Sequence, residues 1–270
     1  MSPLWRDEIS VWLAPCAVRL RRMRRGIHPT CTAEITRAVE SAPVEWRPAL
    51  AVLGACLGET EWQGAGARVV ISNLWARYAI VPWSDTLTND VERLAHARIC
   101  LADIYGNTGP DWRVCLSDAV PGERRVACAI PEGLITGLRA TLDAHRARTL
   151  SVQPALIAAY NRWRAHLPEC AGWFVNIEEG GLAAARLAPS GWDRVYSARI
   201  GADWAMELRR LRTFARLAGQ DSGSGRVFVD APARLRRLAD TSESGIEWLA
   251  APEDAATSVA KHAQPLRLRP

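Results

Sequence analysis

The chain has 270 residues, 49% of them hydrophobic, and a formal net charge of +5, enough apolar material for one large core or two ordinary ones, which excludes overall disorder. Among its basic residues only Lys261 is a lysine, so the body of the chain offers no amine for a Schiff base, a P-loop or a kinase-type phosphate contact. Residues 1–10 carry Arg6, Asp7 and Glu8 where a signal peptide needs an apolar run, and no uncharged apolar stretch approaches about 18 residues; the expected location is cytoplasmic, with any membrane reached only through a partner.

Residues 9–13 and 17–23 read as strands that pair across Pro15-Cys16. The second ends in an arginine cluster, Arg19, Arg21, Arg22, Arg24 and Arg25. Such a cluster can track phosphates, but acidic residues elsewhere offset it and no aromatic ribonucleoprotein motif or helix-turn-helix accompanies it, so no specific nucleic-acid partner is expected. Residues 32–39 fit either a third strand or a helix. The spacing of Trp46, Leu50, Leu53 and Leu57 predicts a helix over 44–57, and 68–72 reads as a strand. Trp75 and Trp83 flank a strand with Tyr78 between them. These three are candidates for a partner groove, against the simpler alternative of core packing.

An inserted segment, about 86–147, then reads as a helix over 87–105, strands over 112–116 and 126–130, and a helix over 132–145. Residues 150–152 and a helix over 155–163 lead into the second half, where the punctuation is clearest. Gly180-Gly181 supplies a tight hairpin between strands over 173–178 and 182–187, and Pro189-Ser190-Gly191 turns the chain into a third strand over 192–200. Asp203 precedes an amphipathic, arginine-rich helix over 204–217, read as a solvated outer face. A polar loop over 220–225, a strand over 226–229, a helix over 232–239 and a strand over 246–249 complete the half.

The order βββαβαβ occurs in both halves, which points to duplication. The expected division is a first lobe over 1–150, including the insert, a second lobe over 151–250 and a flexible tail over 251–270. Seven cysteines without a C-x-x-C and five histidines without an H-x-x-x-H argue for reduced, buried thiols and against a metal site.

Three segments carry a resemblance: 69–83 (VVISNLWARYAIVPW), 126–142 (VACAIPEGLITGLRATL) and 150–162 (LSVQPALIAAYNR). They resemble the actin-like cytoplasmic domains of the type IV pilus PilM and type II secretion GspL kind. The resemblance implies an α/β class, specifically a duplicated ribonuclease H-like (actin-like) fold, two lobes with mixed β-sheets flanked by helices. It also implies a cytoplasmic scaffold of an inner-membrane assembly platform, with a single-span inner-membrane protein and an assembly ATPase as partners and a homodimer left open. Pilus versions dock a short segment of a membrane partner, whereas secretion versions carry their own span; this chain looks more like the former.

The same resemblance directs attention to three turns that form nucleotide sites in actin-like proteins. The first hairpin there reads D-x-G, and here it is Leu13, Ala14, Pro15 and Cys16, with neither carboxylate nor glycine. The second is Asn176, Ile177, Glu178, Glu179, Gly180 and Gly181, where two glutamates would repel phosphates. The third, usually a Gly-Gly pair, is Val229, Asp230, Ala231 and Pro232. The implied site is degenerate, and the expectation is a non-catalytic pseudo-ATPase that mediates protein–protein interaction and holds no cofactor.

One enzymatic alternative remains, a ribonuclease H-like metal-dependent nuclease or a weak actin-like ATPase. Glu178, Glu207 and Asp230 occupy the three positions from which nuclease carboxylates on this fold hold two metal ions. That chemistry requires their side chains to converge to within about 5 to 6 Å.

Overall fold

The computed structural model describes residues 7–24, 26, 30–40, 42, 45–106, 111–167, 172–189, 191–201, 204–217, 226–236, 245–249 and 268–269. In chain order its elements begin β1 (Glu8–Leu13), β2 (Ala17–Arg24), β3 (Thr30–Ala38), α1 (Arg47–Leu57), β4 (Gly66–Ile71), β5 (Arg77–Val81) and α2 (Asp90–Tyr105). Next come β6 (Trp112–Ser117), β7 (Arg125–Pro131), α3 (Glu132–Ala144), β8 (Arg148–Pro154) and α4 (Ala155–Trp163). The rest are β9 (Gly172–Glu178), β10 (Gly181–Ala188), β11 (Gly191–Arg199), α5 (Trp204–Leu217), β12 (Val227–Asp230), α6 (Ala233–Arg236), β13 (Ile246–Leu249) and β14 (Leu268–Arg269).

The chain divides into two compact units, Met1–Ala76 with Ile130–Ala155, and Arg77–Ala129 with Leu156–Pro270. The first unit holds a five-stranded sheet of order β3-β2-β1-β4-β8. β1 to β3 are antiparallel neighbours, and β4 and β8 add in parallel to β1 and to each other. The segment left open between strand and helix is the strand β3, where Thr30, Thr32, Ile35 and Thr36 supply the β-branched side chains that suit a pleated surface.

Burial alternates along β1, with Ile9, Val11 and Leu13 buried and Glu8, Ser10 and Trp12 half-buried. α1 turns its residues Ala49, Leu50, Leu53, Cys56 and Leu57 inward, and α3 turns Leu134, Ile135, Leu138 and Leu142 inward. These two helices meet closely because α3 carries glycine at the contact. A Cβ on Gly137 would lie 2.8 Å from Leu50 Cδ1.

The second unit holds two sheets. In the four-stranded sheet β14-β6-β7-β5, Ala79, Val81, Val114, Leu116, Ala127 and Ala129 pack with Ala97 and Leu101 of α2. The helix expected over 87–105 starts at Asp90, because Asn89 caps it by accepting from Glu92 N–H at 3.0 Å. Residues 251–267 and 270 of the expected tail lie outside the described residues, while Leu268–Arg269 is extended and pairs with Leu116 and Ser117.

The other sheet has the order β11-β10-β9-β12-β13, the same winding as in the first unit: three antiparallel strands, then two parallel additions. Gly180, at φ +80°, makes the tight turn between β9 and β10 that the sequence predicts. Every residue of β9 is buried. Trp173, Val175 and Ile177 face Trp204, Leu208 and Leu211 of α5, and Phe174 on the opposite face meets Tyr160 of α4 edge-on at 5.7 Å.

The two sheets of one order give the duplicated ribonuclease H-like pattern. Of the helix expected over 232–239 only Ala233–Arg236 falls among the described residues, and the loop 220–225 lies outside them. Six cysteines are described and all are free thiols. Only Cys56 and Cys128 are buried, so the expectation of generally buried thiols is corrected: Cys31 is exposed on the edge strand β3, and Cys16, Cys100 and Cys115 are half-buried. Among the described residues no helix is long and apolar enough to cross a membrane.

Candidate functional site

The first hairpin turn is built from apolar residues and its own backbone. Ala14 and Pro15 are buried. Ala14 N–H donates to Ala17 O at 3.0 Å to close the turn, and Leu13 O accepts from Ser72 N–H at 2.9 Å. Pro15 has no N–H to give. The turn presents no carboxylate, and the Ala14 amide is already engaged within the hairpin.

At the C-terminal tips of β9 and β12 the chemistry is different. Asn176 and Asp230 are direct partners in the parallel register. Asp230 Oδ2 accepts from Asn176 Nδ2 at 3.0 Å, and Asp230 Oδ1 accepts from the Trp163 indole N–H at 2.9 Å. The Arg162 guanidinium lies 3.9 Å from the same Oδ1. One carboxylate thereby ties the last residues of α4 to two strand tips. Beyond Asp230 the chain passes through buried Ala231 and exposed Pro232 into α6.

Glu178 and Glu179 separate at the hairpin. Glu178 is buried, while Glu179 is exposed and pairs with Arg234. One of the two glutamates expected to repel phosphate is thus engaged by an arginine of α6, and Gly180 and Gly181 serve the turn and the start of β10.

The third carboxylate of the nuclease alternative sits on the other side of the sheet. Val175 and Val229 face α5, so Asn176 and Asp230, one residue along each strand, face the other way, and Glu178 shares their face. Glu207 belongs to α5 and accepts from the Tyr196 hydroxyl, with Arg210 at 3.9 Å. Burial, and then the Glu207 carboxylate, push the Tyr196 phenol up to about 12. The sheet separates Glu207 from Glu178 and Asp230, and among the described residues no group of three His, Cys, Asp or Glu side chains is placed to hold a metal ion.

Of the three groove candidates, Trp75 and Tyr78 are buried, at 2% and 1% exposure, and only Trp83 is partly open to solvent. Burial pushes the Tyr78 phenol well above its ordinary range, which suits a core role. Its backbone N–H donates to the Tyr105 hydroxyl at 3.3 Å, and that hydroxyl donates to Tyr78 O at 3.2 Å. The Tyr105 hydroxyl also lies 3.4 Å from Ser197 Oγ of β11. Sequence reasoning did not single out Tyr105, Trp163 or Arg162, because their partners are distant in the chain and no spacing announces them.

No protein-family model matches the chain, and no curated protein matches it. Among solved structures the chain is similar to a chain of the PilM–PilN type IV pilus biogenesis complex, with a TM-score of 0.65 and 14% identity over 90% of this chain and 88% of that one. It is also similar to the cytoplasmic domain of EpsL, an inner-membrane component of the type II secretion system of Vibrio cholerae, with a TM-score of 0.58, 11% identity, and 91% and 90% of the two chains covered. A Bacteroides thetaiotaomicron protein with an actin-like ATPase fold and unknown function gives a TM-score of 0.60 and 9% identity, over 92% and 94%. At these identities the likeness establishes the fold, which is actin-like.

Proposed function

We propose that this chain is a non-catalytic, actin-like scaffold of an inner-membrane pilus or secretion assembly platform, acting in the cytoplasm and held at the membrane by a partner. The observation that carries the reading is the engagement of Asp230. Each of its oxygens accepts a hydrogen bond, one from Trp163 and one from Asn176, so the carboxylate is oriented by the protein's own partly buried donors, and a metal or a phosphate-linked water would have to compete with bonds worth about 1 to 3 kcal/mol each.

The actin-like fold, shared with a PilM–PilN complex and with an inner-membrane secretion component, supports a single-span inner-membrane protein as the first partner to seek. An assembly ATPase and a second copy of the chain are further candidates. Co-expression with a candidate single-span inner-membrane protein, chosen from those encoded next to the chain's own gene where one occurs there, followed by affinity purification from detergent extract, tests the reading. Stoichiometric co-purification is expected. Recovery of the chain alone, together with magnesium-dependent turnover of ATP or cleavage of DNA or RNA, would contradict it.

A further inference from the structure

At one end of the four-stranded sheet in the second unit, Val81 and Leu116 floor a shallow depression walled by Trp83, Leu87, Arg93 and Arg125. The lining carries two guanidiniums and no carboxylate. The two cations are not equivalent. Arg93 Nη1 donates to Asp90 Oδ1 at 3.0 Å and its Nη2 donates to Thr88 O at 3.4 Å, whereas Arg125 lies over the Trp83 ring at 5.9 Å and has no carboxylate partner among the described residues. Trp83 itself is fixed, because its indole N–H donates to Asp85 Oδ1 at 2.6 Å.

A fixed, half-buried indole beside an uncompensated guanidinium, above an apolar floor, recognises an apolar side chain with a carboxylate next to it. A nucleic-acid strand offers rings and anions too, but tracking its backbone needs a row of free cations, and this lining has one.

We propose that this depression docks an extended acidic and apolar segment of a partner protein, with an apolar side chain lying against the half-buried Trp83 ring at its rim while a neighbouring glutamate or aspartate meets Arg125. The proposal deepens the scaffold reading by naming a surface and the chemistry it selects; if it fails, that reading still answers separately to the co-purification test.

The test is a titration of the 15N-labelled full chain with a synthetic peptide of alternating glutamate and leucine, followed at the tryptophan indole resonances. Loss of one resonance in Trp83→Phe identifies Trp83. A lysine–leucine peptide, a glutamate–serine peptide and a single-stranded oligonucleotide serve as controls. The glutamate–leucine peptide is expected to move the Trp83 resonance saturably and the controls to leave it in place, with binding weakened about tenfold or more by Arg125→Glu. Because Arg125 stacks on Trp83, Arg125→Gln is measured alongside, and a dispersed spectrum identifies which variant remains folded. The proposal is overturned if the acidic peptide leaves Trp83 unmoved, if any control moves it equally, or if neither folded variant weakens binding.

Discussion

The first unit's five-stranded sheet and its counterpart in the second unit have one winding order but different cover. β1 is buried on alternate residues, leaving Glu8, Ser10 and Trp12 half-buried, whereas β9 is buried throughout because α5 lies on one face and α4 on the other. The strand tips differ accordingly. In the first unit the hairpin is closed by apolar residues and backbone hydrogen bonds, while in the second, covering the other face encloses polar groups, and Asp230, Asn176 and Trp163 satisfy one another. A duplicated fold can thus retain its topology while its two copies close the same end of the sheet by different chemistry.

Stability measurements can break this comparison. Phe174→Ala, which empties a fully buried site beneath α4, is expected to cost about 3 to 5 kcal/mol. Trp12→Ala, on the half-covered face of the other sheet, should cost about 1 to 2 kcal/mol. Denaturant titration of both variants checks the pair, and equal losses would show that the first sheet is as fully covered as the second.

Asp230→Ala is the next largest effect, about 2 to 4 kcal/mol, since it leaves the Trp163 and Asn176 donors without their acceptor. Thermal unfolding together with indole fluorescence reads it out. No loss of stability would mean that the carboxylate is not part of the packing and would reopen a ligand role.

Tyr196→Phe sharpens the account of the α5 face. Removal of the hydrogen bond to Glu207 should cost about 1 to 2 kcal/mol at neutral pH. The wild type also has an alkaline signature. Tyr196 keeps its proton to about 12 in the folded chain, against an ordinary value of 10, so the unfolded chain releases that proton first. The associated stability is fully present below pH 10 and is lost as pH rises through about 12. In Tyr196→Phe the decline over that window should be shallower, which denaturant midpoints measured at several alkaline pH values will test.

Much of the fold was legible because local chemistry and topology agree. Gly180 and Gly191 adopt the positive φ that their turns require, and the periodicities of α1, α3 and α5 match the faces that they bury. β3 was ambiguous because its Ala and Glu residues suit a helix while its Thr and Ile residues suit a strand, and pairing with β2 decides the outcome. Trp75 and Tyr78 could be read as groove or as core, since an aromatic beside a strand fits either until its burial is known.

The site was legible only as a set of absences in the hairpins. The positive arrangement depends on contacts spanning 54 residues for Asn176 and 67 for Trp163, which no periodicity encodes. Nor did the chain order of Glu178, Glu207 and Asp230 reveal that a sheet stands between the second and the other two.

The central claim, that these strand tips form a closed polar arrangement rather than a nucleotide site, is tested most directly by isothermal titration calorimetry of the purified chain with ATP and magnesium, with phosphate release followed on the same sample. The account predicts no affinity tighter than about 1 mM, a binding free energy of about −4 kcal/mol at most, and no hydrolysis. Micromolar binding, or turnover abolished by Asp230→Asn, would contradict it.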